Sequence, residues 1–401
     1  MLAELGRVTD EPGRLTRTFL SPAMQRANAL VGGWMAEAGL RVRVDSIGNL
    51  IGRLEANAAP AKTLLLGSHL DTVRDAGKFD GALGVLLPIM VLAELRRRGV
   101  KLPFAVEVLG FSEEEGVRFA SAYLGSEGYT GRLQPGTLNL RDAKGVSVGD
   151  ALRKFNGGKF SPPKSAHAGR DLLGYIEVHI EQGPVLGKEN LAVGVVSAIA
   201  GQSRFKLTWT GRAGHAGTTP MPLRRDALAG AAEFVLAVEK LARGKSGLVA
   251  TIGELSVSPG AANVIPGEVG HTLEVRHARD PVRHSALVRL GRLAAQIASR
   301  RGLQVNWRRT QEHAAVACSP VLTAALDHSV RTAQGRSLAL VSGAGHDAVV
   351  LSRLTSSAML FVRCRDGLSH HPREQVAPAD LAVALEVIKD FLLRLAAAPS
   401  P

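Results

Sequence analysis

Residues 67–73 read GSHLDTV, and residues 78–81 read KFDG a short way along the chain. The apolar run at 63–66 predicts a buried strand, and the apolar pattern that follows the KFDG segment predicts a helix. Ligands of open α/β sheets bind beyond the carboxyl ends of the strands. His69 and Asp80 therefore stand on either side of a loop in which a metal ion could bind.

Other short apolar runs also lead into polar, glycine-containing segments, and helical patterns lie between them. The predicted strands are 63–66, 104–111, 175–180, 338–341 and 358–363, and the predicted helices include 22–38, 81–98 and 379–395. This alternation predicts an α/β fold in which helices flank both faces of a sheet.

The middle of the chain has a different pattern, which predicts a second domain. Its predicted strands are 204–210, 248–257, 268–276 and 304–308, and its predicted helices are 226–242 and 284–301. Their β-α-β-β-α-β order is typical of a ferredoxin-like α+β domain. We expect residues 1–200 and 315–401 to form one domain, into which residues 201–314 are inserted.

Composition indicates a folded protein, because 45% of the residues are hydrophobic and 21% are charged. The net charge of +13 invites a nucleic-acid hypothesis, but aromatic residues are only 4%, so platforms for base stacking are scarce. The N-terminal residues lack a signal-peptide pattern, and only Cys318 and Cys364 carry thiols. We therefore expect a cytoplasmic protein with no nucleic-acid and no membrane partner.

Side chains that bind divalent metals follow four of the predicted strands. A single histidine there more often makes a hydrogen bond, and an acidic triplet such as 113–115 is usually a solvated turn, but their coincidence favours one site. The candidate ligands for two divalent ions are His69, Asp80, Glu115, His179 and His370. Asp80 is the most economical bridge, and the mixture of imidazole and carboxylate suits Zn²⁺ or Mn²⁺.

Two further carboxylates have predicted roles beside these ligands. Asp71 could accept the free ring N–H of His69 and fix the tautomer of that ligand. Glu114, next to Glu115, could take a proton from a water molecule that the ions acidify and return it to a leaving nitrogen. Glu113 is the alternative base if the register differs by one residue.

Eight segments together resemble the M20-type metal-dependent amidohydrolases. They are GSHLDTV (67–73), KFDGALGV (78–85), EEEGVRF (113–119), HIEQGPVL (179–186), GHAGTTPM (214–221), ANVIPG (262–267), SGAGHDA (342–348) and SHHPRE (369–374). HIEQG together with GHAGTTPM is similar to the branch that contains allantoate amidohydrolases and N-carbamoyl-L-amino acid amidohydrolases. The resemblance extends in unbroken order from about residue 6 to about residue 395.

The resemblance implies a di-metal catalytic domain with a mixed sheet, an inserted dimerisation (lid) domain, and a homodimer. It implies the same five metal ligands and places Glu114 as general acid and base. His215 would polarise the scissile carbonyl, reaching in from the partner subunit. Asn263 and Arg276 would hold the substrate carboxylate, while further residues would line the pocket: Gln182, His346 and, as a weaker candidate, Gln202.

The implied reaction is hydrolysis of the ureido (carbamoyl) C–N bond of a small carboxylate-bearing substrate. Residues 114–119 and 123–126 resemble the allantoate and ureidoglycolate enzymes, which favours allantoate and purine catabolism, with release of ammonia and carbon dioxide. The segment 127–131, EGYTG, departs from the short apolar residues expected there. N-carbamoyl-L-amino acids stay open as the alternative, as do ureidoglycolate and β-ureidopropionate-type substrates. From other classes, a catalytically silent binding protein and a nucleic-acid binder also stay open.

Overall fold

A computed structural model describes residues 1–58, 60–162, 165 and 167–397 of the chain. It separates into two compact units, one formed by residues 1–197 with 318–401 and the other by residues 198–317. The sequence analysis expected boundaries near 200 and 315, and the last four residues of the predicted larger domain lie outside the described residues. Among the described helices, none combines the length and apolar character of a membrane span.

The strands are short and mostly apolar. In chain order they are β1 (Arg41–Val44), β2 (Leu50–Leu54), β3 (Thr63–His69), β4 (Ala105–Phe111), β5 (Leu172–Ile180), β6 (Val193–Ile199), β7 (Gly201–Thr210), β8 (Gly214–His215), β9 (Val249–Thr251), β10 (Leu255–Ser258), β11 (Val264–Ile265), β12 (Glu268–His277), β13 (Gln304–His313), β14 (Val316–Ala317), β15 (Ala339–Ser342) and β16 (Ser357–Val362).

The helices alternate with the strands in the larger unit. In chain order they are α1 (Leu2–Leu5), α2 (Pro22–Glu37), α3 (Ala82–Arg97), α4 (Leu124–Tyr129), α5 (Val148–Phe155), α6 (Val185–Lys188), α7 (Ala227–Arg243), α8 (Asp280–Arg301), α9 (Pro320–Gln334), α10 (Ala348–Leu351) and α11 (Pro378–Ala397). Short 3₁₀ turns occur at Pro135–Asn139, Gly169–Asp171, Met221–Leu223 and Arg365–Gly367.

The sheet of the larger unit is mixed, in the order β1-β2-β4-β3-β5-β16-β6, and β15 also pairs with β6. Strand β3 runs parallel to β4 and β5, and β16 runs parallel to β5. Strands β1, β2 and β6 add antiparallel pairs at the two sides. The predicted α/β class is confirmed, and the carboxyl ends of β4, β3, β5 and β16 meet along one edge.

Every residue of β3, β4 and β16 is buried, as parallel strands require when both faces of a sheet are covered. Helix α3 packs against β3 and α11 and contributes apolar side chains to the same core. It starts after Gly81, whose φ of 63° favours glycine. A Cβ atom at Gly81 would also lie 2.4 Å from the ring of His69, so this turn lets the helix start directly against the end of β3.

The smaller unit contains a sheet in the order β10-β12-β7-β13, with β9 also paired to β12. Helices α7 and α8 cover one face, and their core includes Trp209, Phe234 and Leu290. The single strand predicted at 248–257 is instead two strands, because the backbone N–H groups of Gly253 and Glu254 donate to Thr272 Oγ1 rather than to a ladder partner. The helix predicted from 284 begins earlier, with Pro in its first turn.

Candidate metal centre

The candidate ligands lie where four neighbouring strands end. His69 is the last residue of β3, and His179 is the last but one of β5. Glu115 follows β4, and His370 follows β16. Asp80 lies between β3 and α3. Because these strands are adjacent and parallel, residues far apart in the sequence meet at one edge of the sheet.

Asp80 is at the centre of this group, and its two oxygens face different histidines. Oδ1 lies 3.3 Å from His69 Nε2 and 3.1 Å from His179 Nε2. Oδ2 lies 3.5 Å from His370 Nε2, which in turn lies 3.5 Å from Glu115 Oε1. Two ligand atoms of a tetrahedral zinc ion are separated by roughly 3.3 Å. The spacing therefore fits one cation beside each oxygen of Asp80, with the neighbouring donor atoms arranged around it.

The donor atoms form overlapping sets. Within each of three groups, one potential ligand atom per residue lies within 4.8 Å of the others: His69 with Asp80 and His179, His69 with Glu114 and Glu115, and Asp80 with Glu115 and His370. His69, Asp80 and Glu115 each belong to two of these groups. Such sharing is the arrangement that a pair of closely spaced ions requires.

The two buried histidines already present the correct ring nitrogen. His69 Nδ1 lies 3.0 Å from the carbonyl oxygen of Asp71, and His179 Nδ1 lies 2.9 Å from that of Ile180. With the proton on Nδ1, each ring donates to a carbonyl and turns the Nε2 lone pair toward Asp80. Burial acts to lower the pKa of both imidazoles, but the neighbouring carboxylates raise it above the ordinary value, so without a metal ion each ring shares a proton with Asp80 that a bound cation would displace.

Asp71 contacts both His69 and the acidic triplet. Its backbone carbonyl accepts the His69 ring N–H, and its carboxylate Oδ1 lies 3.4 Å from the same nitrogen. The carboxylate also accepts the backbone N–H groups of Glu114 and Glu115 at 3.0 and 3.1 Å. Asp71 thus ties the loop after β4 to the loop after β3.

The acidic triplet has three different environments. Glu113 Oε1 accepts the N–H of Gly116 at 2.6 Å, and Oε2 is buried with no hydrogen-bond partner in the described part of the chain. Burial raises the pKa of Glu114 well above its ordinary value, and burial likewise raises the pKa of Glu115 to about 8. Without a metal ion, these carboxylates therefore retain protons that a divalent cation would displace.

Three further side chains surround the outer oxygen of Asp80. Gln182 Nε2 donates to Oδ2 at 2.8 Å and Ser369 Oγ donates to it at 2.5 Å. Glu374 Oε1 accepts the backbone N–H groups of Phe79 and Asp80, and its Oε2 lies 3.2 Å from Ser369 Oγ. The sequence analysis named Gln182 but missed Ser369 and Glu374, although both belong to the SHHPRE segment.

Two residues of the SGAGHDA segment lie behind the candidate ligands. The His346 ring is buried 4.5 Å from the His179 ring, and its Nε2 lies 2.8 Å from Ser342 Oγ. Burial lowers the pKa of His346 well below its ordinary value, so this imidazole is neutral. Both carboxylate oxygens of Asp347 are buried without a partner among the described residues, and the sequence analysis assigned this residue no role.

The candidate substrate residues of the smaller unit form two separate groups. His215 is exposed on β8 and pairs with Val264, and the Asn263 carbonyl accepts the N–H of Ala216. Gln202 and Arg276 are cross-strand partners on β7 and β12. The ladder between those strands runs from the Gln202–Arg276 pair to Thr210 and Glu268, beyond which β8 and β11 pair. Asn263 and Arg276, predicted to act on one carboxylate, are therefore at opposite ends of this ladder.

Replacing Asp71 by asparagine should weaken metal binding by about 10- to 100-fold, the usual cost of losing a residue that orients ligands. The two backbone N–H groups of the loop that carries Glu115 donate to different oxygens of Asp71, and asparagine would put an NH₂ donor in place of one of them. Competition with a fluorescent chelator would measure the affinity. An unchanged affinity in a folded variant would show that the loop keeps its position without Asp71.

Comparison with known proteins gives matches over nearly the whole chain. The profile of Peptidase family M20/M25/M40 matches residues 65–394. Allantoate deiminase 2 of Glycine max is 41% identical, covering 98% of this chain and 88% of its own length. An N-carbamoyl-L-amino acid amidohydrolase of Geobacillus stearothermophilus is 40% identical, with coverage of 98% and 97%. A hydantoinase/carbamoylase family amidase structure from Burkholderia multivorans superposes with a TM-score of 0.94 at 33% identity, covering 100% and 97%.

Proposed function

The chain belongs to peptidase family M20/M25/M40, as its motifs predicted, and on that premise we propose that it hydrolyses the ureido C–N bond of allantoate. The observation that carries this proposal is the position of Asp80, whose two oxygens separate two groups of histidine and carboxylate donors. Three curated relatives are named allantoate deiminases and a fourth is named a probable allantoate deiminase. Each is 40–41% identical to this chain in an alignment that covers 98% of it.

Two divalent ions, Zn²⁺ or Mn²⁺, are the proposed cofactor, and the donor set supports them. The residues that would hold them are His69, Asp80, Glu115, His179 and His370. A divalent ion supplies Lewis-acid chemistry in such a site, polarising a carbonyl oxygen and acidifying a water molecule. His370 and Gln182 both have φ values of 56°, a conformation that is uncommon outside glycine and recurs at functional sites.

Glu114 is the proposed general base and acid. Its side chain is buried beside His69 and Glu115, and its backbone is fixed by Asp71. Glu114 takes the proton of the attacking water as the water oxygen bonds to the ureido carbon. The same carboxyl group then delivers that proton to the departing nitrogen as the C–N bond breaks. Ammonia leaves, and the resulting carbamate loses carbon dioxide.

The smaller unit is the proposed lid and dimerisation domain, of the ferredoxin-like type. Arg276 would bind the substrate carboxylate with Gln202 beside it, and Gln182 and His346 would line the pocket of the larger unit. Arg276 and Glu268 are eight steps apart along a regular ladder, which is roughly 27 Å at 3.4 Å per step. His215 and Asn263 of the same chain lie beyond its far end. They cannot bind the small molecule that Arg276 holds, which supports a homodimer in which a second copy supplies them.

The last element of the proposal is a cytoplasmic location, which two unpaired cysteines support because disulfides are rare in that compartment. Cys318 and Cys364 are both buried and unpaired. Burial raises the pKa of each thiol to about 11, which keeps them unreactive.

Ammonia release tests the proposal most directly. The purified chain, incubated with Mn²⁺ or Zn²⁺, should release ammonia from allantoate with a higher kcat/KM than from N-carbamoyl-L-amino acids. A chelator should abolish the release, and added metal should restore it. Failure with every ureido substrate in the presence of metal would contradict the proposed reaction.

N-carbamoyl-L-amino acid hydrolysis is the second candidate, and specific observations favour it. The carbamoylase of Geobacillus stearothermophilus and the Burkholderia multivorans amidase are similar along nearly the entire chain. The segment 127–131 contains Tyr129, whose hydroxyl donates to Glu107 at 2.8 Å inside the larger unit. This segment therefore fills its space with a polar contact rather than with short apolar side chains. The comparison of substrates described above decides between the two reactions.

Replacing Arg276 by alanine should raise KM for carboxylate-bearing substrates by about 10- to 100-fold, because a charge-assisted hydrogen bond is lost. The metal content should not change. Arg308→Ala removes an equal charge from another strand of the same sheet and should change KM by less than about twofold. An equal rise in KM in the two variants would show that Arg276 acts only through the overall surface charge.

A further inference from the structure

One carboxylate in the smaller unit collects donors from two strands. Glu274 Oε1 accepts a hydrogen bond from Arg276 Nε at 2.5 Å. Its Oε2 accepts one from Gln202 Nε2 at 2.7 Å and another from Arg204 Nε. Glu274 thus binds both Gln202 and Arg276, the two candidate substrate residues at this end of the ladder.

Strand register places these four side chains on one face of the sheet. Gln202 pairs with Arg276, and Arg204 pairs with Glu274. Successive residues of a strand point to opposite faces, and Leu273 and Val275 on the alternate positions lie in the core under α7 and α8. The side chains of Glu274 and Arg276 are each 24% exposed, so the cluster is partly shielded yet reachable by a small molecule.

The charges of the cluster do not cancel. Partial burial acts to raise the pKa of Glu274, but hydrogen bonds from Arg276 and Arg204 bring it below its ordinary value, so the carboxylate is ionised. Two guanidinium groups and one carboxylate leave one net positive charge. This remaining charge is the complement of a substrate with a single carboxylate group.

We propose that Glu274 is a positioning residue that holds Arg276, together with Gln202, in the orientation that binds the substrate carboxylate. Glu274 binds Nε of Arg276, and the Nη groups of a guanidinium are further donors to a carboxylate. An arginine fixed in advance loses less side-chain freedom when the ligand binds. Arg204 balances the charge of Glu274, so that Arg276 keeps its attraction for an anion. The inference rests on the proposed role of Arg276.

The direction in which KM changes in Glu274→Gln distinguishes positioning by Glu274 from simple electrostatic attraction. Glu274→Gln removes a negative charge, so attraction alone would lower KM for an anionic substrate. Positioning by Glu274 instead raises KM for allantoate or an N-carbamoyl-L-amino acid by about tenfold, with kcat within about twofold. The methyl ester of the same N-carbamoyl amino acid lacks the carboxylate, and its KM should be the same in the variant and the original chain.

Two additional variants complete the experiment. Glu274→Asp keeps the charge but shortens the reach, so it should also raise KM for the carboxylate substrate, and it provides the test if the glutamine variant does not fold. Lys206→Gln, two residues from Arg204 on the same strand, should leave KM within about twofold. An unchanged or lower KM in the folded Glu274 variants would overturn the inference, and so would an equal rise for the ester. Absence of ureido hydrolysis by the original chain would instead refute the proposed function itself.

Discussion

Glu114→Gln is expected to leave the divalent metal content unchanged and to lower kcat by about 10²- to 10⁴-fold, the usual contribution of a positioned general base. The substitution keeps the shape of the side chain and removes only its ability to take and return a proton. The backbone N–H of Glu114 would still donate to Asp71, so the loop that carries Glu115 keeps its anchor. Metal analysis by mass spectrometry and steady-state ammonia release are the two measurements.

Glu113→Gln is the matched control for this variant, because Glu113 is the neighbouring buried glutamate. Its Oε1 accepts the Gly116 N–H within the same turn, which is a structural role. We expect Glu113→Gln to change thermal stability with kcat within about tenfold of the original. If Glu113→Gln abolished turnover and Glu114→Gln did not, the assignment of the base would have to move by one residue.

The convergence of the candidate ligands could be predicted from sequence because it follows from the order and direction of the strands. Each candidate ligand lies at or after the carboxyl end of a buried strand, and parallel neighbours bring those ends together. Such strands are visible as short apolar runs, and the side chains after them are of types that bind metals. The same rule explains why the α/β class was predictable without knowledge of any contact.

The supporting contacts could not be predicted, because they join segments far apart in the chain. Glu374 binds the backbone N–H of Asp80 across 294 positions. The carboxylate of Asp71 accepts two backbone N–H groups of the loop after β4, which lie 43 and 44 positions further along the chain. Neither the spacing nor the periodicity of the sequence predicts these contacts of Glu374 and Asp71.

The length of a strand also keeps apart two residues to which the motifs alone assign one binding site. Asn263 and Arg276 are 13 positions apart, yet most of that distance is a fully extended strand, β12. A motif shows that Asn263 and Arg276 are both present. It does not show that they are too far apart in one chain to bind the same substrate carboxylate. Register assignments supply that information, and they come only from the folded structure.

Asp80→Asn is the variant for which we expect the greatest loss of metal. Both oxygens of Asp80 face histidine nitrogens, so the neutral amide would remove the shared negative charge and present an N–H₂ group toward one of the two sets of donors. Bound metal should fall from about two ions to one or none per chain, and activity by about 10³-fold or more, because several kcal/mol of charge stabilisation depend on the ions.

The control for this variant is Asp75→Asn, a substitution of the same chemistry in the same loop, at a residue outside the clusters of potential ligand atoms. It should retain both metal and activity. Metal content after chelation and reloading, read together with ammonia release, distinguishes the two variants. Full metal occupancy in folded Asp80→Asn would contradict the bridging role, since a carboxylate shared by two cations cannot be replaced by a neutral amide without weakening both sets of bonds.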